Sequence, residues 1–123
     1  MTLDGQRIVI LGGSSGIGLA TAQAAAKEDA SVVIASSRKL RLDEALATLQ
    51  AGAEGYALDL TKAVKVFFAG LGPFDHLVFT AGETLQLGRL ADTDIAAARG
   101  FFGLRYWGAY TAAKYGCGSI RPG

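Results

Sequence analysis

The chain has 123 residues, half of them apolar, with 17 Gly and 2 Pro; this composition fits one compact α/β domain over residues 1–123 and excludes an intrinsically disordered chain. Twelve basic and 11 acidic residues leave a net charge of +1, so no field of one sign points to nucleic acid or to a membrane surface. A single cysteine, Cys117, excludes an intrachain disulfide, and with one histidine it cannot build a structural zinc site, and we expect no metal; with no secretory leader pattern and no long apolar run, we expect no membrane span and a cytoplasmic setting.

The apolar run Arg7–Leu11 predicts a first strand, and it leads straight into Gly12-Gly13-Ser14-Ser15-Gly16-Ile17-Gly18. An alanine-rich helix over Ile17–Lys27 follows. Gly12, Gly16 and Gly18 therefore stand where a strand turns into a helix, the place where backbone N–H groups and a helix dipole can cradle a pyrophosphate. Their spacing is G-x-x-x-G-x-G, not G-x-G-x-x-G, and no Lys follows as a phosphate-binding loop requires. A tight turn with no ligand is the competing reading.

Ser31–Ala35 predicts a second strand, followed by Ser36-Ser37-Arg38 and a helix over Leu40–Gln50. A short third strand, Gly55–Leu58, runs into Asp59-Leu60-Thr61, where Asp59 could equally serve as a helix N-cap, and a helix over Lys62–Ala69 comes next. His76–Thr80 predicts a fourth strand that ends in Ala81-Gly82. Beyond an irregular stretch to Gly88 lie helices over Asp92–Arg99 and Phe101–Tyr115, and residues 116–123 read as a turn. Short apolar strands alternating with helices predict a doubly wound parallel sheet of Rossmann type, truncated before its fifth strand.

With these motifs in order, the whole chain resembles the N-terminal, cofactor-binding half of the short-chain dehydrogenase/reductase family. The family fingerprint T-G-x-x-x-G-I-G matches Gly12–Gly18, with Leu11 in place of Thr. Asp59-Leu60-Thr61 resembles its acidic adenine-contacting motif, Thr80-Ala81-Gly82 stands where N-N-A-G is usual, and Leu3-Asp4-Gly5 resembles its entry to the first strand. The resemblance implies NAD or NADP bound across the carboxyl ends of the strands. It assigns Gly12, Ser14, Ser15, Gly16, Ile17 and Gly18 to the pyrophosphate, Ser36, Ser37 and Arg38 to the adenosine ribose, Asp59 and Leu60 to the adenine, and Thr80, Ala81 and Gly82 to the second ribose. An acid after the second strand would bond a ribose 2′-OH and repel a 2′-phosphate; hydroxyls beside a guanidinium favour that phosphate, so NADP is the expected cofactor.

Family catalysis uses a Tyr and Lys at Tyr-x-x-x-Lys with a Ser about a dozen residues upstream, and often an Asn on an earlier helix. Tyr110 and Lys114 fit that spacing, but we read them as a decoy and expect no catalytic residue in this chain. They precede the fifth strand, Ala96–Ala98 occupy the upstream positions, and Tyr106, Trp107, Tyr110, Ala113 and Lys114 follow helical packing intervals. Arg105 stands where the Asn is expected, and a permanent cation cannot replace an amide in a proton relay. His76 and Cys117 have no partner in the sequence that would activate them. The expected function is the NADP(H)-binding portion of an oxidoreductase acting on a small carbonyl or alcohol substrate. The alternative is a non-catalytic nucleotide-binding or self-associating module, and the stripe Phe101, Phe102, Tyr106, Trp107 and Tyr110 is the expected contact in a homo-oligomer.

Overall fold

The computed structural model describes residues 2–123. Four strands, β1 (Arg7–Leu11), β2 (Ser31–Ser36), β3 (Glu54–Ala57) and β4 (His76–Phe79), form one parallel sheet in the order β3-β2-β1-β4. Each crossover carries a helix: α1 (Gly16–Lys27), α2 (Lys39–Ala47) and α3 (Val64–Leu71). The sheet order reverses direction at β1, from which one half of the chain winds towards β3 and the other towards β4. In open parallel sheets, ligands bind at the carboxyl end of such a point.

Continuous apolar strands arise here because both faces of the sheet are covered. Val9, Leu11, Val33 and Ala35 face one layer with Val64, Phe68, Leu71, Phe74 and Ala112. Ile8, Ile10, Val32 and Ile34 face the other with Ala22, Ala25, Leu42 and Ala45. Burying each large aliphatic side chain in these layers contributes about 1.5–3 kcal/mol. Small alanines on α1 let that helix lie close to the sheet, as its composition predicts.

Element boundaries shift by a few residues from the sequence expectation. β2 continues to Ser36 because Ser36 pairs with Ala57, and β4 stops at Phe79, leaving Thr80 as the first residue of a turn. After a 3-10 turn at Leu90–Asp92 comes the short helix α4 (Ile95–Gly100), whose N-cap Asp94 accepts the Ala97 N–H at 2.9 Å.

The segment expected as one helix over Phe101–Tyr115 opens as a π-helix, Gly103–Gly108, and continues as α5 (Ala109–Gly116). Its buried side is a row of small residues, Gly108, Ala112 and Gly116, with Gly108 against Phe79 and Gly116 against Phe68 and Leu77. The aromatic stripe therefore points away from the core. Trp107 is 60% and Tyr110 62% exposed, and the rings of Tyr106, Trp107 and Tyr110 meet edge to face.

The tail expected as a bare turn instead makes a single bridge to the sheet side of the fold. A 3-10 turn, Cys117–Ser119, delivers Ile120 to a parallel bridge with Phe74, where Phe74 N–H donates to the Ser119 carbonyl at 3.0 Å and Arg121 N–H to the Phe74 carbonyl at 2.8 Å. The Arg121 guanidinium then donates to Asp75 at 2.9 Å. Asp75 also accepts the Arg7 N–H at 2.7 Å, and that bond, with Arg121 beside it, holds its carboxyl below the usual carboxylate range.

Candidate functional site

The strands end at their carboxyl side around a cleft of about 840 Å³. Every residue that the sequence assigned to a cofactor lies on its wall. Gly12, Ser14, Ser15, Gly16, Ile17 and Gly18 form the floor above β1. Ser36, Ser37 and Arg38 stand beyond β2, Asp59 and Leu60 beyond β3, and Thr80, Ala81 and Gly82 beyond β4. A smaller hollow of about 460 Å³ opens at the opposite end of the sheet among Asp4, Asp29, Gly52 and Arg121, with no helix N-terminus of α1 aimed into it.

The floor is built by close backbone contact. Gly12 N–H donates to the Ala35 carbonyl at 2.9 Å, and Gly12 adopts φ +95° with its Cα facing the turn after β4; a Cβ there would meet the Ala81 nitrogen at 2.5 Å. Thr80 Oγ1 donates back to the Gly12 carbonyl at 3.2 Å. The glycine loop and the Thr80–Gly82 turn are thus a single packed unit. At the start of α1, Ser15 makes no side-chain cap and no acid sits in the first turn, so the amides of this turn face the cleft with their dipole uncompensated. Gly16, at φ +55°, has nothing within 4 Å of the position of a Cβ.

Hydroxyls join the floor to the β2 wall. Ser14 Oγ donates to Ser36 Oγ at 2.8 Å, and the Arg38 N–H donates to the same Ser36 oxygen at 3.3 Å. Ser36 is buried, so its part is to fix this corner, while Ser37 and Arg38 are exposed beside it. Arg41, one turn further along α2, also lines the cleft. Lys39 pairs with Asp43 at 3.3 Å, whereas Arg38 and Arg41 have no ion-pair partner among the described residues. Two guanidinium groups are therefore available to an anion at this end.

Asp59 closes a turn rather than capping a helix, because the N-cap position of α3 falls to Ala63. Its carboxylate accepts the hydroxyl of Thr61 and the Thr61 N–H at 2.8 Å, closing the turn before α3, and these bonds hold its carboxyl below the ordinary range. It remains exposed on the cleft wall. Leu60 is buried with the α3 side of the core, so only its backbone is offered to the cleft.

Thr61, the last residue of the Asp59-Leu60-Thr61 motif, also lines the wall, and Arg41, Glu83, Thr84 and Leu104, which the sequence did not assign, complete it. Arg41 had a readable signal, a second guanidinium three residues after Arg38 at the start of a helix. Leu104 had none, because its position depends on the π-helical opening of the last helix.

Tyr110 and Lys114 are not on the cleft wall; Tyr110 lies against Trp107, and Lys114 over the Tyr115 ring at 5.5 Å. Arg105 packs on Gly82, on Glu83 and over the Phe101 ring at 4.5 Å. His76 bonds Gln6 at 3.0 Å at the far end of β4, and Cys117 Sγ donates to the Lys114 carbonyl at 3.3 Å. Among the described residues no cluster of three His, Cys, Asp or Glu could hold a metal ion, and no helix is long and apolar enough to cross a membrane.

This geometry can be set beside known proteins. A family model described as short chain dehydrogenase matches residues 6–99. A short-chain dehydrogenase/reductase of Gibberella fujikuroi is 34% identical over 91% of this chain and 49% of its own length. The 2-(S)-hydroxypropyl-CoM dehydrogenase 3 of Xanthobacter autotrophicus is 32% identical over 91% of this chain and 47% of its own. Among solved structures, a short chain dehydrogenase/reductase family protein superposes with a TM-score of 0.88 at 31% identity, over 97% of this chain and 51% of that one. A putative betaketoacyl-ACP reductase superposes with a TM-score of 0.86 at 31% identity, over 95% and 49%. The chain spans about half the length of these relatives.

Proposed function

Because the chain belongs to the short-chain dehydrogenase/reductase family, whose members use nicotinamide cofactors, we propose that it is the NADP(H)-binding portion of an oxidoreductase acting on a small carbonyl or alcohol substrate. The observation that carries this reading is the pairing, in one cleft, of an uncapped helix N-terminus above a glycine floor with two unpaired guanidinium groups at one end. A dinucleotide presents a pyrophosphate and, in NADP, a 2′-phosphate at the same two places.

The residues divide the work by their chemistry. The amides at Gly16–Gly18 bind the pyrophosphate, and the open space beside Gly16 admits its oxygens. Arg38 and Arg41 neutralise the 2′-phosphate, with Ser37 beside them as a hydrogen-bond donor. Asp59 and the Leu60 backbone border the adenine, and Thr80, Ala81 and Gly82 border the second ribose. A nicotinamide held there would supply or accept a hydride. We assign no proton transfer to Tyr110 or Lys114, which lie away from this cleft, and no metal to the chemistry. The exposed ridge of Phe102, Tyr106, Trp107 and Tyr110 is the surface we assign to self-association.

Titration followed by nucleotide fluorescence tests the assignment. NADPH is expected to saturate the protein in the range of about 1 μM to 1 mM, and at least roughly tenfold more tightly than NADH. Equal affinities would remove the 2′-phosphate assignment, and no saturation by either nucleotide would remove the cofactor assignment.

A further inference from the structure

Glu83, the residue directly after the Thr80–Gly82 turn, reaches across to the opening of the last helical segment. Its carboxylate accepts the Leu104 N–H and, at 3.3 Å, the Arg105 N–H. These amides open the π-helix Gly103–Gly108, whose N-cap, Phe102, offers no side-chain acceptor. Arg105 answers in the other direction. Its guanidinium donates to the Glu83 carbonyl at 2.6 Å, stands 3.7 Å from the Glu83 carboxylate and lies flat enough on Gly82 that a Cβ there would come within 3.0 Å of Arg105 Cζ. Phe101 covers the other side of the guanidinium at 4.5 Å. Burial alone would raise the Glu83 carboxyl, but the amides of Leu104, Glu83 itself and Arg105, with the guanidinium, outweigh it and hold the group below its ordinary range.

These contacts matter because the turn they grip is part of the cleft. Ala81 touches Gly12, Thr80 bonds the Gly12 carbonyl, and Leu104, held by Glu83, lines the cleft itself. We propose that Glu83 and Arg105 form a two-way latch that positions the Thr80–Gly82 turn, and so sets the second-ribose wall of the cleft, with Arg105 itself standing off that wall. Arg105 is then a positioning residue. Its charge is spent on Glu83 rather than presented to a substrate. This inference rests on the cofactor assignment above, and it places the latch at one end of the ligand only: Arg38 and Arg41 serve the other end and share no contact with it.

The test compares NADPH with 2′,5′-ADP, which carries the adenosine and 2′-phosphate but lacks the second ribose and nicotinamide. In the full chain, Arg105→Ala and Glu83→Ala should each weaken NADPH roughly three- to thirtyfold and leave 2′,5′-ADP within about twofold. Arg105→Lys and Glu83→Gln, which keep a charge or an acceptor, should lose less, and the double alanine variant should lose no more than the worse single one. Equal loss for both ligands would reduce the pair to general structural support and overturn the latch, as would no loss for either. Should the unaltered protein bind 2′,5′-ADP but not NADPH more tightly, the latch fails while the 2′-phosphate assignment stands. Binding of neither ligand overturns the cofactor assignment and the latch with it.

Discussion

Gly12→Ala is expected to lower stability by about 2–5 kcal/mol, seen as a fall in Tm of roughly 8–20 °C. Two costs combine at this position. An L residue at φ +95° is strained by about 1–2 kcal/mol. The new methyl would also stand 2.5 Å from the Ala81 nitrogen and 2.9 Å from its Cα, so the turn after β4 must retreat, an overpacking cost of about 1–3 kcal/mol. Gly16→Ala offers the matching contrast. Its φ of +55° carries the same kind of strain, but nothing lies within 4 Å of the new methyl. That variant should lose only about 1–2 kcal/mol of stability while weakening NADPH more than about tenfold, because the methyl enters the space assigned to the pyrophosphate. Thermal melts with NADPH titrations check both; a Gly12→Ala protein that melts like the unaltered one would contradict the packing of the glycine loop against the turn.

Arg38→Asp is expected to weaken NADPH on the order of 100-fold, equivalent to about 2.8 kcal/mol. A charge-assisted bond to phosphate contributes about 1.5–3 kcal/mol, and the new carboxylate adds repulsion in its place. NADH should gain, since Asp at this end of β2 can accept the ribose 2′-OH. Arg38 is exposed, has no ion-pair partner among the described residues, and joins the corner through its backbone N–H, so fold and melting temperature should hold. The ratio of NADPH to NADH affinity is the quantity to measure. An unchanged ratio would shift the 2′-phosphate to Arg41 alone or remove it from this cleft.

The parts of the site that were legible in the sequence are those made by neighbouring residues. Strand ends are marked by apolar runs giving way to glycine or hydroxyl residues, and in a parallel sheet all strand ends of one polarity meet at one edge, which is why Gly12, Ser36, Asp59 and Thr80 could be brought together from local signals. What escaped the sequence is made by residues distant in the chain. Glu83 and Arg105 are 22 positions apart, and only the turn of the last helix against Gly82 makes them partners. The stripe of aromatic residues drew attention on Phe101–Tyr115, yet the face that packs is Gly108, Ala112 and Gly116, because small residues let a helix approach Phe68, Leu77 and Phe79. Ile120 offered no strand signal of its own, since one bridge to Phe74 and the Arg121–Asp75 pair come from across the fold.

Everything proposed for this chain depends on a dinucleotide binding at the carboxyl edge of the sheet. Amide-resolved NMR during titration with NADP⁺ tests it most directly. Shifts are expected to concentrate at Gly12–Gly18, Ser36–Arg38 and Thr80–Gly82, with the amides of Asp29 and Gly52 at the opposite end unmoved. Shifts centred on that opposite hollow, or none at about 1 mM NADP⁺, would contradict it.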